Sequence, residues 1–114
     1  MALMAMAFPI LPGKTDQWRR FAAELVGSRR DAYVASRQRL GVHERAFLQS
    51  TPQGDLVIVT LEGADPAAAV SQFGASGDPF TQWFRDQVLE LHGFDLAQPM
   101  PGPIPDLVID SRPG

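Results

Sequence analysis

Cysteine is absent from the 114 residues. That excludes disulfides, thiolate metal sites and cysteine nucleophiles. Excess positive charge is also missing: the formal net charge is −3 and the pI near 5.2. Nucleic acid is therefore not the main partner, because phosphate backbones are held by basic surfaces. There is no long hydrophobic run. The apolar opening, MALMAMAFPILP, is too short to span a bilayer and is interrupted by Pro9 and Pro12. It lacks the basic n-region of a secretory signal, so a cytoplasmic protein with no membrane partner is expected. No nucleophile–base pair, metal-ligand spacing or phosphate loop stands out, and neither a metal nor a cofactor is expected.

What is present describes one ordinary domain. The hydrophobic content is 45% and the charged content 20%, as in a globular protein of this size. Nine arginines against one lysine, with abundant alanine, fit a GC-rich bacterial genome.

The organising stretch is Val42 to Gly63, VHERAFLQSTPQGDLVIVTLEG. It reads as two strands joined at Thr51-Pro52-Gln53-Gly54, which suits a type I turn with proline second and glycine fourth. Pairing Gln49 with Asp55 puts His43, Arg45 and Phe47 on one face with Val57, Val59 and Leu61. Glu44, Ala46 and Leu48 then share the other with Leu56, Ile58 and Thr60. Both faces are largely apolar, so each needs a cover.

Before the hairpin, Ala2 to Pro9 reads as a first strand, its methionines serving as adaptable apolar filler rather than soft metal ligands. A long helix is predicted from Thr15 or Asp16 to about Leu40, stopped by Gly41. Trp18, Phe21, Leu25, Ala32 and Ala35 make its buried stripe, while Arg19, Arg30 and Arg37 share a solvated line. Arg29, Ser36 and Arg39 fall in or beside the apolar stripe. Either they snorkel past the sheet edge or pair with an acid, or the second half of the helix lines a polar pocket suited to an anion or carboxylate.

After the hairpin, Asp65-Pro66 and Asp78-Pro79 each pair an N-cap with proline at the first helical position. They predict a short helix from Ala67 to Phe73 and a longer one to His92, stopped by Gly93. Phe80, Trp83, Phe84, Val88 and Leu91 form the buried stripe of the longer helix, with Gln87 a polar member inside it. Residues 95–105 form a proline-rich connector. Asp106 to Asp110, DLVID, is expected as a last edge strand, and the final Ser-Arg-Pro-Gly as a frayed end.

The resulting order, βαββαβ, predicts a single ferredoxin-like α+β domain over 1–114. It is expected to have a four-stranded antiparallel sheet and a second helical region split in two. With the helices on one sheet face, the other face is left apolar and open, and a homodimer is expected to cover it. This order, the short length and the proline-rich run before the last strand resemble the dimeric α/β-barrel superfamily. PGKTDQW, FLQSTPQGDLVIVTLEG and PFTQWF are most similar to an uncharacterised group of small bacterial proteins within it, related to antibiotic-biosynthesis monooxygenase-like proteins. The resemblance implies a dimeric barrel and admits cofactor-independent oxygenation, haem degradation, or no chemistry at all. Haem-degrading members use a histidine near a tryptophan and an asparagine on the first strand. Trp83 and His92 loosely match the first two, but this sequence has no asparagine.

His92 sits in a last helical turn, where a cation is favoured, and His43 at the start of a strand beside Arg45. Two readings of function follow. One is a homodimer binding a small apolar or aromatic molecule between sheet and helices. The other is a small cofactor-independent monooxygenase, with Arg39 or His43 at the pocket wall; whether the protein is an enzyme stays open. The candidate pocket residues are Trp18, Arg29, Tyr33, Ser36, Arg39, Glu44, Thr60, Trp83 and Gln87. The candidate dimer face is His43, Arg45, Phe47, Val57, Val59 and Leu61. Arg39 and Glu44, flanking the Gly41 turn, are expected to pair.

Overall fold

The computed structural model describes residues 1–100 and 104–113. Its elements run β1 (Ala2–Pro9), α1 (Thr15–Val26), α2 (Arg30–Leu40), β2 (Val42–Thr51), β3 (Gly54–Gly63), α3 (Pro66–Ala75) and α4 (Pro79–His92). The three strands form one antiparallel sheet in the order β1-β3-β2. Among the described residues the fold is therefore α+β with a three-stranded sheet and four helices, and the ferredoxin-like four-stranded sheet expected from the sequence is not formed there.

The missing strand is DLVID. Residues 106–110 carry no ladder, and Leu107, Val108 and Ile109 are all exposed. The segment stands between Pro105 and Pro113, which cannot donate to a ladder, and it borders the start of β1 and Glu62 across a shallow groove. With no face buried, nothing offsets the entropy of ordering a strand. The rest of the expected connector and frayed end falls partly on residues 101–103 and 114, outside the described residues.

The single long helix is two helices. At Gly27 the backbone leaves the helical region, with φ −117° and ψ −108°. The N–H groups of Gly27 and Arg29 both turn back to the Glu24 carbonyl. Gly27-Ser28 is a weak point for helix propagation, and a Cβ on Gly27 would sit 2.8 Å from the Ala23 carbonyl oxygen. Past the break the helical phase is reset. Arg37, on the solvated line of a continuous helix, is buried, as is Ser36.

The hairpin tip is one residue shorter than the expected register requires. Thr51 lies opposite Gly54, leaving only Pro52-Gln53 as the loop. The Thr51 hydroxyl donates to the Gly54 carbonyl at 2.6 Å and accepts from the Gln53 N–H at 3.2 Å. Ser50, not Gln49, therefore faces Asp55. A one-residue slip exchanges the faces of β3 relative to β2. Val57, Val59 and Leu61 share a face with Glu44, Ala46 and Leu48, and with Met4, Met6 and Phe8 of β1. His43, Arg45 and Phe47 share the opposite face with Leu56, Ile58 and Thr60.

The helices cover the first of these faces. Both Asp-Pro starts are capped: Asp65 accepts from the Ala68 N–H at 3.1 Å and Asp78 from the Thr81 N–H at 3.2 Å. Gly41 and Gly93 close α2 and α4 in the left-handed conformation, at φ 71° and 75°, where glycine carries no Cβ penalty. The Thr15 hydroxyl donates to Asp55 at 2.6 Å, tying the start of α1 to β3.

The core divides into two buried clusters. Phe21, Phe73, Phe84, Val88 and Leu91 form one among the helices, with Leu91 wholly excluded from solvent. Met6, Phe8 and Leu61 form the other on the sheet. Phe94 and Leu96, following α4, pack against both.

Candidate functional site

Between the two clusters the protein is not filled. A cavity of ≈ 360 Å³ separates the helix-facing side of the sheet from α1, α2, α3 and α4. Its floor is Met6, Phe8, Val57, Val59 and Leu61; its roof includes Phe21, Leu25, Phe73, Phe84 and Val88. Close packing is the rule for protein interiors, and this volume lies within the range of small-molecule sites. The exposed lining residues Val26 and Ala46 mark where the cavity meets solvent, between the end of α1 and the edge strand β2.

Among the described residues, four polar side chains interrupt the apolar wall: Tyr33, Arg37, Glu44 and His92. Three of them are joined. Glu44 projects from β2 toward α2, where its Oε2 accepts from the Tyr33 hydroxyl at 2.5 Å and from Arg37 Nε at 3.2 Å. Arg37 Nη1 donates to the Ser36 hydroxyl at 2.9 Å. The guanidinium also lies over the rings of Phe84, Tyr33 and Phe73, 4.6, 4.8 and 5.0 Å from their centroids, an arrangement that offsets part of its desolvation. Burial pushes the Tyr33 phenol above its ordinary value. The charge and hydrogen bond of Glu44 push the same way, and Arg37 opposes them. Tyr33 is thus a neutral donor.

His92 stands apart, at the end of α4. Its Nδ1 lies 2.9 Å from the Pro9 carbonyl oxygen and its ring 5.7 Å from that of Phe8. Burial lowers its pKa, against the opposing effect of the Pro9 carbonyl. The imidazole is neutral rather than the helix-end cation expected from the sequence, because desolvation outweighs the attraction of the last carbonyls.

Of the sequence-derived pocket residues, Trp18, Tyr33 and Glu44 line the cavity. Ser36 is buried behind it as Arg37's partner. Arg29 is outside, paired with Glu24 at 3.1 Å and stacked over Trp83 at 3.8 Å. Trp83 packs against Phe21 and Phe80, and Gln87 is half-buried away from the lining. Thr60 is on the far side of the sheet, moved there by the register. Arg39 does not pair with Glu44; it lies 3.7 Å from Asp78, while Arg37 takes the carboxylate.

Of the expected dimer face, His43, Arg45 and Phe47 lie on the side away from the helices, whereas Val57, Val59 and Leu61 face the cavity. Arg37 and His92 are the polar cavity residues, among those described, that are absent from the sequence-derived set. The Gly27-Ser28 pair carried a signal for Arg37, since a helix broken there changes phase. His92 had none.

Among the described residues, no group of three or more His, Asp or Glu side chains is placed to hold a metal, and no helix is long and apolar enough to cross a membrane. No family model, no curated protein and no solved structure matches this chain.

Proposed function

We propose that this protein binds a small, largely apolar molecule in the cavity between its sheet and its helices. The observation that carries this reading is the divided core: the sheet and helix clusters leave ≈ 360 Å³ open between them, lined almost wholly by apolar side chains. Filling it with an apolar body removes that surface from water at about 25 cal/mol per Å². Binding is favoured over the oxygenase alternative because Arg39 and His43, the residues set aside for chemistry, lie outside the cavity lining.

The assembly proposed is a homodimer formed through the sheet face that the helices leave uncovered. That face carries Leu3, which is 48% exposed, and Phe47, which is 54% exposed, together with an Arg45–Glu62 pair at 3.7 Å. Charges of both signs beside apolar side chains suit a self-complementary, two-fold contact.

The uncharged dye N-phenyl-1-naphthylamine tests the binding reading. Saturable, blue-shifted emission with one dye per chain is expected, and Ala46→Trp at the cavity mouth is expected to abolish it with the fold intact by circular dichroism. Unsaturable or unshifted emission from the folded wild-type protein would sink the reading.

A further inference from the structure

We infer that the cavity selects an uncharged ligand that donates a hydrogen bond to His92 Nε2, an apolar body carrying one hydroxyl or N–H group. This deepens the binding reading above and rests on it.

The geometry of His92 is the first support. The Pro9 carbonyl can only accept, so the 2.9 Å contact places the imidazole proton on Nδ1. Nε2 then bears a lone pair. It makes no hydrogen bond among the described residues, yet no enclosed side-chain nitrogen or oxygen lacks a partner there. Nε2 therefore keeps some accessible surface, and because His92 lines the cavity we place that surface toward it. A ligand hydroxyl or N–H meeting this nitrogen loses nothing on leaving water, whereas a purely apolar ligand leaves it dry and unpaired.

The charge of the wall is the second. Among the described residues, Arg37 and Glu44 are the only Arg, Lys, Asp or Glu side chains lining the cavity, and they are bonded to each other at 3.2 Å. The neutral His92 adds nothing. An anion would lose its hydration with no unbalanced positive charge to replace it. The two arginines that suggested a carboxylate site, Arg29 and Arg39, are engaged outside by Glu24 and Asp78. A cation meets the same balance from the other side.

Three probes of nearly equal size separate these requirements: 2-naphthol, naphthalene and 2-naphthoate, titrated calorimetrically at about pH 7.5, where the first is uncharged and the last ionised. The naphthol is expected to bind about fivefold to tenfold more tightly than naphthalene, as one neutral hydrogen bond gives. The naphthoate is expected to bind at least about tenfold more weakly than the naphthol. His92→Phe should erase the preference for naphthol while keeping naphthalene binding. Should that variant fail to fold, the Nε2 resonance of ¹⁵N-labelled His92 in the wild-type protein is the second readout, expected to move with naphthol and not with naphthalene.

Naphthoate binding as tight as naphthol, naphthol no better than naphthalene, a preference that survives His92→Phe, or an unmoved Nε2 each overturns the inference and leaves the binding reading standing. Failure of all three probes to bind overturns both.

Discussion

His92 shows how a single side chain changes character between sequence and fold. At the end of a helix an imidazole is ordinarily drawn toward its charged form. Here the ring is packed against Phe8 under the β1 end, and burial makes the charged form costly. The folded-state pKa thus lies below the unfolded value near 6.5. The unfolded chain takes up the proton first, so the stability from a neutral His92 is fully present above about pH 6.5 and drains away as pH falls through the folded pKa. Urea midpoints measured from about pH 8 down to about pH 5 are expected to fall. In His92→Phe that slope should flatten, and an equal slope in wild type and variant would show that another group titrates. Nothing in the order of the residues around His92 signals this, because its neighbour Phe8 is 84 positions away.

At the scale of elements, the contact that matters most joins α2 to β2. Tyr33 and Arg37 lie one helical turn apart, on the face of α2 that meets Glu44. The side chains of Arg37 and Glu44 are only 8% and 13% exposed. Removing one partner from such a pair strands the other charge. Arg37→Met and Glu44→Gln are each expected to cost about 3 kcal/mol in urea unfolding. The double variant should cost less than their sum by about 1–3 kcal/mol, the coupling of groups in direct contact. Strict additivity in that cycle would mean the pair holds nothing together. The same latch explains why the cavity keeps its roof: α2 is short, and its inner face offers little more than Tyr33, Ser36, Arg37 and Leu40 to bury.

For the whole molecule, the unbalanced surface is the sheet face opposite the helices. Leu3, Phe47 and the half-buried Leu56 and Ile58 lie there, and among the described residues no helix or strand of this chain covers them. The proposed dimer predicts a two-chain mass in sedimentation at micromolar concentration. It also predicts that Phe47→Glu shifts the protein to monomer without altering its circular dichroism, since a charge at the centre of an apolar contact is left without compensation. A wild-type monomer at that concentration, or a Phe47→Glu protein that still dimerises, would count against it.

What the residues alone determined is local in origin. The first strand and the hairpin strands follow from short apolar runs bounded by proline and glycine turns, the two Asp-Pro helix starts from capping chemistry, and the ends at Gly41 and Gly93 from the glycine requirement of the left-handed conformation. Neighbours within four residues decide each of these. The tertiary structure decided the rest. One residue at the hairpin tip set which side of β3 faces the helices, and a slip of one reverses every side chain. A kink at Gly27 reset the phase of α2 and put Arg37 rather than Arg39 against Glu44. DLVID has the composition of a strand and no partner to make it one. The cavity exists only because two clusters of apolar residues, one on the sheet and one among the helices, leave space between them. Burial is a property of the assembled surfaces, and no run of residues shows how far apart its elements will stand.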